Sequence, residues 1–166
     1  MGILNRTNAV LEKLAEALTI VFLGGIAVVV PLEVFNRYIT GNMFTWSTEF
    51  CQYSFVWASV MGAAAGLRKG GQVAITSLKD RLEKTSAGAA RALQAVIYAI
   101  MLVFLALMTW YGIVQVITNY TQKSSTMSIP MSYPYLALPL GFAIMFLVTL
   151  EMLIALGRGG QAGGGR

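Results

Sequence analysis

Four long stretches of this chain carry no charge: residues 17–32, 50–67, 92–122 and 124–150. A helix rising 1.5 Å per residue needs about 20 apolar residues to cross a hydrocarbon core of roughly 30 Å. Shorter runs are extended by side chains that snorkel or pair at their ends. The sequence therefore predicts an all-α membrane protein with four transmembrane helices, at about 17–38, 46–67, 93–117 and 135–156. Of the 166 residues, 57% are hydrophobic and 11% charged. Soluble domains carry roughly 25% charged residues, so a water-soluble fold is a poor reading. Residues 1–157 form one four-helix domain, and the Gly-rich segment 158–166 has no apolar period and reads as a disordered tail.

The charges that remain are unevenly placed. Arg6, Lys13, Arg68, Lys69, Lys79, Arg81, Lys84, Arg91, Arg158 and Arg166 fall in the termini and the second connection, against Arg37 and Lys123 alone in the other two. Positive charge is retained on the cytoplasmic side, so both termini are expected there. A cleaved secretory signal is the rival reading of the first thirty residues. Glu12 and Glu16 occupy the place of a basic n-region, and Val28 to Pro31 offers no small-x-small cleavage site. Between the second and third spans, Ile75, Leu78, Leu82 and Ala89 recur at helical spacing opposite a charged face. That pattern predicts an amphipathic helix over 72–90, lying at the membrane interface or solvated as a loop helix.

Histidine is absent and Cys51 is the single cysteine, so haem held by two histidines, His-based zinc sites, a disulfide framework and a Ser/His/Asp triad are all excluded. No enzyme, cofactor or metal site is expected, and the net charge of +5 reads as topology rather than as a nucleic-acid surface. An ionisable group in hydrocarbon usually marks an ion or proton path. None lies at mid-depth here. Glu33, Arg37 and Glu49 surround the short first connection, where an Arg37–Glu49 pair is expected to close the hairpin with Trp46 in the headgroup layer; proton coupling is the alternative role for these carboxylates. A small multidrug exporter needs a carboxylate deep in its first span, and nothing ionisable lies between Ala17 and Leu32.

Ser54, Ala58, Gly62 and Gly66 repeat every four residues and form a smooth stripe that lets another helix approach, either within the chain or on a partner. Trp57 and Trp110 lie deeper than the other aromatics and read as packing groups. Arg68 and Lys69 are placed to hold the inner end of the second span at anionic lipid.

Taken in order, several of these residues resemble the small membrane subunit, DctQ type, of tripartite ATP-independent periplasmic (TRAP) transporters. The carriers are Asn36-Arg37, Trp46-x-x-Glu49, Trp57, Gly62-Ala63-Ala64 and Arg68. A second block runs from Ser124 to Pro130, followed by Ala137-Leu-Pro139-Leu-Gly141. The resemblance covers roughly residues 12–157, with Gln72 a departure where many members have histidine. It implies a non-catalytic, multi-pass subunit of the bacterial inner membrane, with no cofactor. In the family this subunit braces a large elevator-type partner (DctM type) that carries the substrate and sodium sites. A periplasmic binding protein delivers the substrate, usually a carboxylate. The alternative is an autonomous small transporter or channel that homo-oligomerises through the Ser54–Gly66 stripe.

Overall fold

A computed structural model describes residues 2–42, 44–83 and 87–157, which are helical apart from their connections and one isolated β-bridge. The helices are α1 (Gly2–Thr40), α2 (Ser47–Glu83), α3 (Ala87–Thr118), α4 (Ser132–Tyr135) and α5 (Ala137–Gly157). The four segments expected as spans fall on α1, α2, α3 and the α4–α5 pair, which are helical. Among the described residues, Asn8–Thr40, Arg91–Thr118 and Ser132–Gly157 are long and apolar enough to cross a membrane. Helix α2 has the length, but Gln52, Tyr53, Ser54 and Ser59 dilute its apolar character.

Two boundaries differ from the sequence expectation. Helix α1 begins at Gly2, because residues 2–16 contain no proline and are rich in Leu, Ala, Glu and Lys, which favour helix. Helix α2 runs without a break through Gly70-Gly71 to Glu83, so residues 72–83 extend α2 and residues 87–90 open α3. Two glycines cost about 1 kcal/mol each in a helix but, unlike proline, they remove no hydrogen bond. Residues 84–86 and the Gly-rich tail, 158–166, lie outside the described residues. Pro31 sits inside α1 without ending it.

The bundle is built on α2 and α5. Helix α1 packs chiefly on α2, α3 packs chiefly on α5, and α2 and α5 meet between them; the α1 and α3 backbones do not approach each other closely among the described residues. The buried centre joins all four long helices through Ala15, Met61, Ala64, Leu105 and Met145, with Trp57 and Phe142 packed against it. Two of these are alanines, as expected where helix association relies on close packing rather than on apolar burial. Hydroxyls inside the helices are satisfied locally: Thr19, Thr109 and Thr149 each donate to the carbonyl four residues earlier, at 2.8 Å.

Glycines mark two tight crossings. A Cβ on Gly112 would lie 3.0 Å from Cδ of Pro139, and one on Gly141 would overlap Cγ1 of Val60 and meet its carbonyl oxygen at 3.4 Å. Gly24 has open space on the same criterion. Gly141→Ala should therefore destabilise the fold by about 1–3 kcal/mol through overpacking, whereas Gly24→Ala should leave it unchanged or slightly firmer. Thermal loss of helical circular dichroism in detergent micelles reads both.

Candidate functional site

Polar contacts gather at the two ends of the bundle. At the end where α1 turns into α2, Gly41 adopts φ +71°, a left-handed conformation natural to glycine, and its N–H closes on the Arg37 carbonyl at 3.2 Å. Asn36 then reaches across the turn and donates to the Asn42 carbonyl at 2.9 Å. The Ser47 hydroxyl donates to the Phe44 carbonyl at 2.8 Å just before α2 starts.

Glu49, in the first turn of α2, holds the connection between α3 and α4. Its carboxylate accepts hydrogen bonds from the Ser124 hydroxyl, from the Thr126 N–H at 3.2 Å and from the Met127 N–H at 3.1 Å. An ionised carboxylate is acceptor-only and meets all three donors at once. The loop it holds is a short folded unit. Ser124 N–H donates to the Ile129 carbonyl, and Met131 N–H to the Gln122 carbonyl, both at 2.8 Å, around the Lys123–Pro130 bridge. Ser128 at its tip takes φ 55°, uncommon for a residue with a side chain. One turn deeper on α2, the Tyr53 hydroxyl donates to the Met131 sulfur at 3.4 Å.

The expected Arg37–Glu49 pair does not form. Glu49 is turned towards the α3–α4 loop, and the Arg37 side chain is exposed, with no hydrogen bond or ion pair of its own among the described residues. Trp46 is exposed beside the turn, edge-on to Phe50 at 6.1 Å and 5.9 Å from Phe44. Trp57 lies deeper and stacks on Phe22 of α1 at 5.5 Å. The small-residue stripe faces inward for most of its length: Ser54 and Ala58 are buried, and Gly62 admits the Thr19 methyl to 3.4 Å of where its Cβ would be. Gly66 meets nothing within 4 Å. Arg68 continues α2, and its side chain is outside the described residues. Pro130 belongs to the loop bridge and Pro139 to the crossing with Gly112.

At the opposite end, Asn8 of α1 is 1% exposed and donates to Oε2 of Glu151 at 2.6 Å and to the Leu147 carbonyl at 3.4 Å. This clasp between α1 and α5 joins residues 143 positions apart, and no local pattern announces it. Ser124, Thr126 and Met127 were visible in sequence only as a polar run; their common partner, Glu49, lies on another helix. Among the described residues, no group of three His, Cys, Asp or Glu side chains is placed to hold a metal ion.

An apolar helical bundle with its hydrogen-bonding chemistry at its two ends defines a multi-pass membrane protein. The chain belongs to the DctQ component family of the tripartite ATP-independent periplasmic transporters, whose pattern matches residues 26–159, and is a protein of the bacterial inner membrane. Two relatives, each a C4-dicarboxylate TRAP transporter small permease protein DctQ, are similar to it. The Rhodobacter capsulatus protein is 29% identical over 125 residues, covering 74% of this chain and 54% of the relative. The Vibrio cholerae protein is 23% identical over 169 aligned positions, covering 89% of this chain and 73% of the relative. The chain thus spans about half the length of the first relative and about three-quarters of the second.

Glu49→Gln turns one acceptor oxygen into a donor facing the loop. It should destabilise the loop by about 1–3 kcal/mol and speed maleimide labelling of a cysteine placed at Ser125 in a Cys51→Ser background. In double-mutant cycles, Glu49 with Ser124 should couple by about 0.5–3 kcal/mol, and Glu49 with Arg37 by close to zero.

Proposed function

We propose that this chain is the small, non-catalytic membrane subunit of a sodium-coupled TRAP uptake transporter for an organic acid. It braces a large elevator-type membrane subunit and helps to dock the periplasmic binding protein that delivers the substrate. The observation that carries the reading is the family match over residues 26–159. That both relatives are C4-dicarboxylate TRAP transporter small permease proteins favours a C4-dicarboxylate or similar carboxylate as the cargo.

The arrangement of the polar groups supports a scaffold role. Transport sites are usually built from interrupted helices with polar backbone near mid-membrane. Here α1, α3 and α5 are each continuous, and Glu33, Glu49 and Glu151 lie towards helix ends. In this reading α2 is a fourth span, the basic termini and second connection face the cytoplasm, and the turn and loop around Glu49 face the periplasm. Burial of Ser54 and Ala58 inside the chain takes away most of the stripe on which an autonomous homo-oligomer would depend.

Reconstitution provides the test. The chain alone in proteoliposomes should take up no dicarboxylate. Uptake should appear when a co-purifying large membrane subunit, the binding protein and a sodium gradient are supplied. Full transport by the chain alone would overturn the proposal, as would failure to co-purify with any larger multi-span protein.

A further inference from the structure

On α3, the Gln94 amide donates to the hydroxyl of Tyr98, four residues on, at 3.2 Å. Tyr111 and Gln115 repeat that spacing later in the helix without the bond: both are exposed, and neither side chain has a hydrogen-bond partner among the described residues. Packing fixes their depth. Gly112 lies against Pro139, and two residues further along α5 Gly141 lies against Val60, near the middle of the charge-free run 50–67 of α2. Tyr111 is therefore level with the centre of the apolar layer, and Gln115 stands one turn, about 6 Å, nearer the loop that Glu49 holds. The backbone directs both side chains back along α3, away from that end. Trp110, expected as a packing group, is 66% exposed at the same depth, far from the interfacial layer where tryptophans anchor.

Hydrocarbon offers neither donor nor acceptor, so a phenol and a primary amide facing lipid at this depth are costly. The free face of α1 is different: from Ala17 to Leu32 its exposed residues are aliphatic, glycine or proline, a surface that lipid satisfies. We propose that the exposed face of α3 around Tyr111 and Gln115 docks a transmembrane helix of another protein, which supplies hydrogen-bonding groups to both side chains. The larger membrane subunit of the proposed transporter is that protein, and naming it rests on the proposed function. Trp110 and Tyr111, about 100° apart around the helix, flank the exposed line of Leu107 and Val114 and leave a channel along it. A second copy of this chain fits that channel poorly. Val103, Leu107, Trp110, Val114 and Ile117 put no small residue on the line, whereas helices that pair closely in membranes need small residues on at least one side. The matching helix carries Gly, Ala, Ser or Thr towards α3.

The chain co-purified with the larger subunit provides the test. Benzoylphenylalanine placed at Leu107 or Val114 should photocross-link to the larger subunit, and at Val21 on the free face of α1 it should not. In micelles, Tyr111→Phe and Gln115→Leu should each weaken association of the two subunits about threefold, the size of one interhelical hydrogen bond in a membrane. The helical circular dichroism of the isolated chain should stay the same in both variants. Unchanged dissociation constants in both, or cross-links from Val21 and none from α3, would overturn the inference and leave the proposed function standing. Cross-links from α3 that join two copies of this chain would assign the face to self-association and overturn it as well. A chain that captures no larger subunit would take the proposed function down with it.

Discussion

Three helices reach the same stretch of α2 because the side chains there are small. Ala58, Gly62 and Ala64 leave room for α1 on one side and for α5 and α3 on the other, and Met61 fills the space that remains. In a membrane, burying apolar surface away from lipid gains little, so association depends on how closely backbones approach. Gly141 against Val60 and Gly112 against Pro139 extend the same logic to the other crossings. The position of α2 in turn decides where Glu49 arrives, and so where the α3–α4 loop is held.

The two ends of the bundle use different chemistry for the same purpose. At one, a carboxylate gathers a hydroxyl and two backbone N–H groups from a loop about 75 residues away. At the other, the buried Asn8 amide ties the start of α1 to Glu151 on α5. Each contact joins the first half of the chain to the second, so the α1–α2 and α3–α5 pairs are fastened at both ends as well as packed along their length. The middle is then left to apolar packing and to threonines that satisfy themselves.

Much of this was legible in the charge pattern. Charge-free runs located all the long helices, because excluding charge is the strongest demand hydrocarbon makes on a sequence. Depth in the span drew attention to Trp57, which stacks on Phe22, and spacing drew attention to the small stripe, of which Ser54 and Ala58 are buried. Helix boundaries were harder to place: the sequence between 2 and 16 is good helix former whether or not it enters the membrane, and Gly70-Gly71 weakens a helix without stopping it. The partner of Glu49 was not legible. Arg37 lies nearer in the hairpin, and a pairing rule based on proximity along the chain favours it; the loop donors are backbone N–H groups, which every sequence possesses. Asn8 and Glu151 are hidden for the same reason, since neither residue has a neighbour in sequence that hints at the other.

Helices α1 and α2 contain 39 and 37 residues, about 58 and 55 Å at 1.5 Å per residue, nearly twice the hydrocarbon thickness of roughly 30 Å. They are antiparallel and joined by a short turn, so their surplus lengths share one end. A helix that continues past the apolar layer acts as a pointer. If the last 16 residues of α2 lie beyond the apolar layer, rocking the bundle by about 10° sweeps their tip through roughly 4 Å, although nothing within the membrane has changed its packing. A probe attached near Glu83 would report the tilt of the whole subunit, magnified by the part of the helix that has left the bilayer.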